Sequence, residues 1–328
     1  MSVLDLNDID TLVVCGGGVH GIAYLSALET LYHQYGFESF PMGQRNPRIT
    51  TIHGVSVGAL IAFLWALGFD SFEEAHLVMD ALIRSMIDGV HLMSFARDWG
   101  ANDGKGIRSL LRARSSKRTG IHSPTFLELE KKTGVTIRIH ATDLGSRKAK
   151  YFSPSETPNA DVVDVVFASI AVPPLFAPCR MGDSLFVDGG LIESFPRIPN
   201  CNQPARCLVI RSVDSTGVED TSDLFEPTDD SDKKISRVQD YISRIVECAL
   251  QSRTSGDDER LKSDGLVGQT INIECGDIPW LSLVVDERTK KSLLLQGVLA
   301  AERFINSKDS VVRCCKTRSV GIQTDCLF

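Results

Sequence analysis

An α/β fold with a mostly parallel central sheet is predicted by a strand–turn–helix order that occurs twice near the start of the chain. Thr11–Cys15 is a short apolar run typical of a buried strand, and it leads through a glycine-rich stretch into an amphipathic helix. Arg48–His53 repeats the strand pattern and leads through the tight turn Gly54–Gly58 into the apolar run Ala59–Leu67. Strands that alternate with helices pair in parallel, because each helix crosses over the sheet.

The rest of the chain continues this alternation. Alternating or apolar runs predict further strands at Val135–Thr142, Ala149–Phe152, Ser184–Val187 and Cys207–Val213. Helical patterns cover much of Ser71–Leu111, Asp161–Ala171 up to the Pro173–Pro174 pair, Ile235–Arg253 and Glu287–Asn306.

Composition excludes some functional classes. The 328 residues are 43% hydrophobic and 23% charged, as in a globular protein with a full core, and the net charge of −7 argues against binding to nucleic acid. Nine scattered cysteines without a CxxC pair indicate free thiols in a reducing compartment and no zinc site. The longest apolar run is too short to cross a membrane, and the first residues do not form a secretory signal. We therefore expect a soluble, cytoplasmic protein that contacts membranes only peripherally.

The turn at Gly54–Gly58 (GVSVG) matches the GxSxG pattern that places a serine nucleophile between a strand and a helix. The flanking Gly54 and Gly58 let the chain turn sharply, so that the side-chain oxygen of Ser56 is exposed. The following helix directs the positive end of its dipole at the place where a negative oxygen develops during acyl transfer. Ser56 is our candidate nucleophile; the alternative is a glycine-rich turn without chemistry.

A second glycine-rich turn, Gly16–Gly21 (GGGVHG), contains GxGxxG between a strand and a helix. Such a loop holds the pyrophosphate of a dinucleotide, or it directs backbone N–H groups at the oxyanion of an acyl-transfer intermediate. The dinucleotide of an oxidoreductase requires an acidic residue at the end of the next strand, and Glu38 does not stand at a strand end. An oxyanion hole is the better prediction, and a tight turn without a ligand is the third.

The base that activates Ser56 is predicted to be a carboxylate. The chain has seven histidines and none follows Asp188, so the order serine, acid, histidine cannot be built with that aspartate. Asp188 ends an apolar strand and precedes Gly189 and Gly190, which leave its carboxylate uncovered. A partly desolvated aspartate has a raised pKa and can accept the serine proton directly. The alternative is an ordinary Asp-Gly β-turn, and His20 is the one histidine that we place near the site.

Together these residues resemble the patatin-like phospholipase family. The resemblance rests on GGGVHG at 16–21, GVSVG at 54–58 and DGG at 188–190, supported by ATDLGSRKAKYFS at 141–153 and ASIAVPPLFAP at 168–178. It covers about residues 10–195, which we expect to form the catalytic core. Residues 196–307 are expected to continue the same domain, with an acidic loop at 214–234, and residues 308–328 to form a flexible tail.

The resemblance implies a three-layer α/β/α fold, a Ser–Asp dyad and hydrolysis of acyl esters in phospholipids or other acyl lipids, with no metal or organic cofactor. Carried over, Ser56 is the nucleophile, Asp188 the base, and the amides of Gly16, Gly17 and Gly18 the oxyanion hole. The family usually has arginine or lysine where this chain has His20. An acyltransferase on the same dyad and an inactive lipid-binding protein of the same fold are the alternatives.

Two further segments carry expectations of their own. Glu219–Asp232 holds seven acidic residues, which predict a solvated loop. A calcium site is the alternative. Lys105–Arg118 (KGIRSLLRARSSKR) holds six basic residues and no acidic one, and its Ile107, Leu110 and Leu111 suggest an apolar ridge. We expect it to meet a lipid surface, with a solvated helix face as the alternative. Just upstream, Met86, Ile87, Leu92, Met93 and Phe95 are candidates for an acyl channel or lid.

Overall fold

The computed structural model describes residues 8–35, 49–88, 90, 99–198, 204–213, 255–282 and 285–320. Its strands are β1 Thr11–Val14, β2 Thr51–Gly54, β3 Thr136–Asp143, β4 Lys148–Phe152, β5 Cys179–Met181, β6 Ser184–Val187, β7 Cys207–Val213 and β8 Thr270–Glu274. Its helices are α1 Gly21–Tyr35, α2 Val57–Leu67, α3 Phe72–Asp88, α4 Lys105–Thr119, α5 Phe126–Thr133, α6 Val162–Ile170, α7 Ser255–Ser263 and α8 Glu287–Val320.

The eight strands form one sheet in the order β5-β6-β3-β2-β1-β7-β8, with β4 paired to β3 outside this path. The five strands from β3 to β8 in this order run parallel, whereas β4 and β6 run antiparallel to β3 and β5 runs antiparallel to β6. The predicted mostly parallel sheet is therefore confirmed.

Helices cover both faces of the sheet, as a three-layer α/β/α fold requires. Alternate residues of β1 point to opposite faces, because side chains alternate along a strand. Leu12 and Val14 join the larger core, which contains residues of α1, α2 and α6. Val13 and Cys15 join a smaller core on the other face, where Leu261 of α7 covers them.

The carboxyl ends of β1 and β2 lie side by side, since Val14 pairs with Gly54 in the parallel register. The glycine loop that follows β1 and the serine turn that follows β2 therefore meet at one edge of the sheet. This is the edge at which open α/β sheets place their ligand sites.

The last helix, α8, is assigned to Glu287–Val320. It overlaps the flexible tail expected at 308–328, and that tail stays a prediction. Residues 307–320 contain no glycine or proline, and Gly321 is the first residue that favours a helix end. The predicted helix at 235–253 and the acidic loop at 214–234, with the calcium alternative at Glu219–Asp232, lie outside the described residues.

Candidate active site

Ser56 occupies a strained turn between β2 and α2. Its backbone has φ 54° and ψ −126°, a conformation that is uncommon for any residue other than glycine. Helix α2 starts immediately afterwards, and the Ala59 amide already donates to the Ser56 carbonyl at 2.9 Å. A Cβ atom on Gly58 would collide with the Val14 carbonyl oxygen, so this position needs glycine for the turn to pack against β1.

The Ser56 hydroxyl donates a hydrogen bond of 2.7 Å to Oδ2 of Asp188. The other carboxylate oxygen, Oδ1, accepts the Gly190 amide at 2.7 Å. The Asp188 backbone is fixed on both sides, because its amide donates to the Ala171 carbonyl and its carbonyl accepts the Thr142 hydroxyl. Asp188 therefore has one defined orientation, with one oxygen held and the other directed at Ser56.

Burial raises the pKa of Asp188 to about 7, because the carboxylate is almost entirely removed from water. The hydrogen bonds from Ser56 and Gly190 act in the opposite direction and favour the ionised form, but they do not offset the desolvation. A carboxylate with a pKa near neutrality is a much stronger proton acceptor than an exposed aspartate.

A second buried chain of hydrogen bonds supports the serine turn from below. The Ser56 amide donates to the hydroxyl of Ser169 at 3.0 Å, and that hydroxyl donates to the His140 carbonyl at 2.7 Å. The His140 ring donates through Nε2 to the Glu193 carbonyl, and burial lowers the pKa of His140 to about 4, so the ring is neutral. The Ser169 side chain of α6, anchored on the backbone of β3, thus holds the strained backbone of Ser56.

The glycine loop lies against the serine turn, with part of it committed to other bonds. The Gly16 amide donates to the Ser194 carbonyl at 3.0 Å, and the Gly16 carbonyl accepts the Tyr24 hydroxyl at 2.8 Å. The expectation that the Gly16 amide faces an oxyanion therefore needs correction. Within the described part of the chain, no hydrogen bond occupies the amides of Gly17 and Gly18, so these two are the candidate oxyanion donors.

The two histidines closest to the motifs make no hydrogen bond that the structure describes to the side chains of Ser56 or Asp188. The Nε2 atom of His20 lies 2.8 Å from the Ile278 carbonyl oxygen, and the hydrogen bonds of Ser56 and Asp188 do not include His20. His53 is buried, and desolvation together with the nearby charge of Arg138 lowers its pKa to about 3. His53 is therefore neutral, as a structural core residue is.

Ser56 lies in the wall of an apolar cavity that is partly open to solvent. The empty space in it, with the open part included, is about 610 Å³. Apart from Ser56 and Ser282, every side chain in its wall is apolar. The wall consists of Gly18, Val19, Val57, Leu60, Met79, Ile83, Met86, Ile170, Val172, Leu175, Phe176, Trp280 and Leu281. Met86, predicted to line such a channel, lines this cavity. The side chain of Ile87 and the residues Leu92, Met93 and Phe95 lie outside what the structure describes. The cavity suits a hydrocarbon chain attached to the reacting carbonyl.

The basic stretch Lys105–Arg118 lies in α4, where the four arginines are paired with acidic side chains while Lys105 and Lys117 are exposed. Ile107 and Leu111 are buried in the core, so the apolar ridge faces inward and only Leu110 is partly exposed. Acidic side chains of other elements pair with the arginines: Asp164 with Arg108 and Arg112, and Glu74 with Arg114 and Arg118. The arginines of α4 thus belong to structural ion pairs, and contact of this helix with a lipid surface stays a prediction.

Two other kinds of site are absent from the described ranges. There, no three histidine, cysteine, aspartate or glutamate side chains come together so as to hold a metal ion. Across the same ranges, no helix combines the length and the hydropathy needed to span a membrane.

Sequence reasoning did not find three contributors to the site. Ser169 lies in the segment ASIAVPPLFAP that carried part of the resemblance, and its polar side chain inside an apolar helix was the available signal. Thr142 is hidden in the alternation of β3. Trp280 lies far along the chain, and nothing in the local sequence pattern places it at the site.

The chain is similar to known proteins over this region. Residues 12–199 match the family model described as patatin-like phospholipase. The probable lipid hydrolase 463L of Invertebrate iridescent virus 6 is 26% identical over 188 residues, which are 57% of this chain and 61% of that protein. The uncharacterized protein R571 of Acanthamoeba polyphaga mimivirus is 26% identical over 192 residues, which are 58% and 61%. The match thus spans about three fifths of the length of each relative.

Solved structures share the fold at low sequence identity. VipD from Legionella pneumophila superposes with a TM-score of 0.57 and 15% identity, over 92% of this chain and 67% of that one. ExoU in its complex with SpcU from Pseudomonas aeruginosa gives a TM-score of 0.50 and 16% identity, over 92% and 52%. The family model covers more than half of the chain and includes the glycine loop, the serine turn and Asp188, so the chain belongs to the patatin-like phospholipase family.

Proposed function

We propose that the protein is a lipid acyl hydrolase, of phospholipase A or lysophospholipase type, with Ser56 as nucleophile and Asp188 as base. The observation that carries the proposal is the 2.7 Å hydrogen bond from the Ser56 hydroxyl to Asp188 Oδ2 at the wall of an apolar cavity. Family membership and the lipid hydrolase name of a viral relative support the same class of activity.

In the first step, Asp188 removes the hydroxyl proton of Ser56 while the serine oxygen attacks the carbonyl carbon of the ester. The carbonyl oxygen becomes negative as the tetrahedral intermediate forms. When the intermediate collapses, the bond from carbon to the alcohol oxygen breaks, and Asp188 returns the proton to the leaving alcohol. The fatty acyl group then remains on Ser56 as an ester.

In the second step, water replaces the alcohol. Asp188 accepts a proton from the water molecule while the water oxygen attacks the acyl carbon. When the fatty acid leaves, Asp188 returns the proton to the Ser56 oxygen. The same carboxylate therefore acts as base and then as acid in both halves of the reaction, which its pKa near 7 suits.

The amides of Gly17 and Gly18, together with the N-terminus of α2, are our candidates for stabilising the negative oxygen. Gly18 and Ser56 line the same cavity, so a carbonyl bound at Ser56 lies beside the glycine loop. Removing one donor from an oxyanion hole typically costs about 10²- to 10³-fold in kcat.

The apolar wall supports an acyl chain as the buried part of the substrate, with the head group left outside.

We propose that residues 196–307 belong to the same domain as the 10–195 core, since β7, β8 and α8 complete its sheet and pack on it. The free, buried thiols of Cys15, Cys179, Cys207 and Cys275 support the proposal of a reducing, cytoplasmic location.

Product analysis tests this proposal and separates it from acyl transfer. Phosphatidylcholine vesicles are incubated with the wild-type protein and with Ser56→Ala, each with and without an added long-chain alcohol. We expect free fatty acid from the wild type in both conditions and none from Ser56→Ala. An acyl ester of the added alcohol as the main product would indicate a transferase, and fatty acid release by Ser56→Ala would exclude Ser56 as nucleophile.

A further inference from the structure

Part of the cavity wall comes from outside the region that the family model matches. Trp280, Leu281 and Ser282 line the cavity, whereas the match ends at residue 199. These residues belong to the segment 275–282, which follows β8 and which we call the roof segment. Because β8 is parallel to β7, and β7 to β1, the roof segment leaves the sheet at the same edge as the glycine loop.

Consecutive residues of the glycine loop hold the roof segment. The Val19 amide donates to the Trp280 carbonyl at 2.9 Å, and the His20 ring lies 2.8 Å from the Ile278 carbonyl through Nε2. Gly18, with φ +52°, packs so closely on Trp280 that a Cβ atom would collide with the Trp280 carbonyl oxygen. The roof segment is thus seated directly on the loop that carries the candidate oxyanion donors.

The His20 contact differs in kind from the others. The two backbone contacts follow from the path of the chain, but the bond to Ile278 depends on one side chain. A carbonyl oxygen only accepts, so His20 must carry a proton on Nε2 to make this bond. His20 is buried and does not line the cavity, so its side chain has no direct contact with a bound acyl chain there.

We propose that the roof segment determines which acyl chain lengths the enzyme accepts, and that His20 is the positioning residue that holds it in place. The proposal rests on the proposed function, because it concerns the acyl chain of that substrate. Trp280 and Leu281 belong to the cavity wall, so each methylene group buried against them adds apolar contact, and a long chain makes more of these contacts than a short chain. Loosening the roof segment therefore weakens the contacts with long chains more than those with short chains.

The test compares the kcat/KM of p-nitrophenyl palmitate with that of p-nitrophenyl butyrate. We expect this palmitate-to-butyrate ratio to fall about three- to tenfold in His20→Ala, which corresponds to the loss of one hydrogen bond. His20→Gln places an N–H donor at nearly the same distance from the backbone and should restore most of the ratio. The matched control is His122→Ala, an exposed histidine that contacts Ser116, and its ratio should equal that of the wild type.

Two measurements keep the outcome decisive. If His20→Ala does not fold, Leu281→Ala removes part of the roof directly and should lower the same ratio. Binding of palmitate and octanoate is also measured by calorimetry, which does not depend on turnover, in the Ser56→Ala protein with and without His20→Ala. We expect His20→Ala to weaken the binding of palmitate more than that of octanoate. If this difference is found but the wild type has no turnover, the proposed function alone is rejected.

An unchanged ratio in folded His20→Ala, or an equal loss on both esters, would overturn the role of His20. An unchanged ratio in Leu281→Ala would overturn the role of the roof segment.

Discussion

At the Asp188 carboxylate, burial and hydrogen bonding act in opposite directions, and burial is the stronger effect. The pKa of about 7 means that the base is mostly protonated below neutral pH and ionised above it. Only the ionised form can accept the Ser56 proton. We therefore expect kcat/KM to rise tenfold per pH unit below about pH 7 and to reach a plateau above it, as measured with a soluble ester from pH 5 to 9. A plateau that extends down to pH 5 would show that Asp188 is not the base.

The raised pKa of Asp188 also makes the site a cost to stability. The folded protein binds a proton at Asp188 more tightly than the unfolded chain, whose aspartate has the ordinary value of 3.8. The stabilisation of the folded state by this proton is fully present below about pH 4. It is lost as the pH rises through about 7, where the buried carboxylate ionises.

Asp188→Asn keeps the shape of the side chain and removes the charge. We expect it to lower kcat by about 10²- to 10⁴-fold and to raise the free energy of unfolding at pH 8 by roughly 1–3 kcal/mol. The gain should disappear near pH 4. Chemical denaturation at both pH values measures it, and a variant less stable than the wild type at pH 8 would contradict the assignment of burial as the dominant effect.

At the scale of one element, α4 shows how a charged helix serves the fold. Arg114 is buried, pairs with Glu74 and donates to the Gly68 carbonyl at the end of α2, at 3.1 Å. Removing Arg114 leaves the Gly68 carbonyl without this donor and takes away one partner of Glu74, which Arg118 and Lys117 still neutralise. We expect Arg114→Gln to lower the free energy of unfolding by about 1–2 kcal/mol and to reduce hydrolysis of soluble and vesicle substrates to the same extent.

Lys117→Gln is the matched control on the same helix. Lys117 is 65% exposed and lies 3.6 Å from the same Glu74, so its removal should change stability by less than about 0.5 kcal/mol. Thermal and denaturant unfolding check both variants. If Arg114→Gln lost hydrolysis of vesicles but kept hydrolysis of the soluble ester, α4 would be a membrane-binding helix.

The sequence pattern of α4 was ambiguous for a physical reason. Basic residues between apolar ones occur both on helices that lie on membranes and on helices that pair with acidic neighbours. The acidic partners Asp70, Glu74, Asp161 and Asp164 come from distant positions in the chain, so only the three-dimensional structure shows them. The turn at Ser56 could be predicted, because its strand, its glycines and its helix follow one another directly in the sequence.

For the whole molecule, the question is whether residues 12–199 fold without the rest. In the intact sheet, β1 pairs with β7 on one side, where Thr11–Val14 faces Cys207–Ile210, and β8 follows. A chain that ends at residue 199 would expose an apolar parallel strand as an edge and would lose the packing of α8. We expect it to be insoluble or to unfold without cooperativity.

The full chain should unfold in one cooperative transition under the same conditions, as followed by circular dichroism and calorimetry. Cooperative unfolding of the truncated chain would mean that the family-matched region is an independent domain.

The fold was predictable where its signals are local. The apolar runs of β1 and β2, each followed by glycines and a helix, define parallel neighbours, and their loops must then meet. The three residues of β5 are too few to give a distinct pattern, and β8 was not predicted although Ile271 and Ile273 alternate there with polar residues. Trp280 and Ser169 reach the site through tertiary packing, which spacing in the sequence does not encode.

The central claim, that Asp188 activates Ser56 for attack on an acyl carbonyl, is tested most directly by a fluorophosphonate probe with the labelled residue mapped by mass spectrometry. Such a probe reacts only with an activated serine. We predict stoichiometric labelling of Ser56 in the wild type, none in Ser56→Ala, and a rate at least 10²-fold slower in Asp188→Asn. Labelling of a different serine, or an unchanged rate in Asp188→Asn, would contradict the account.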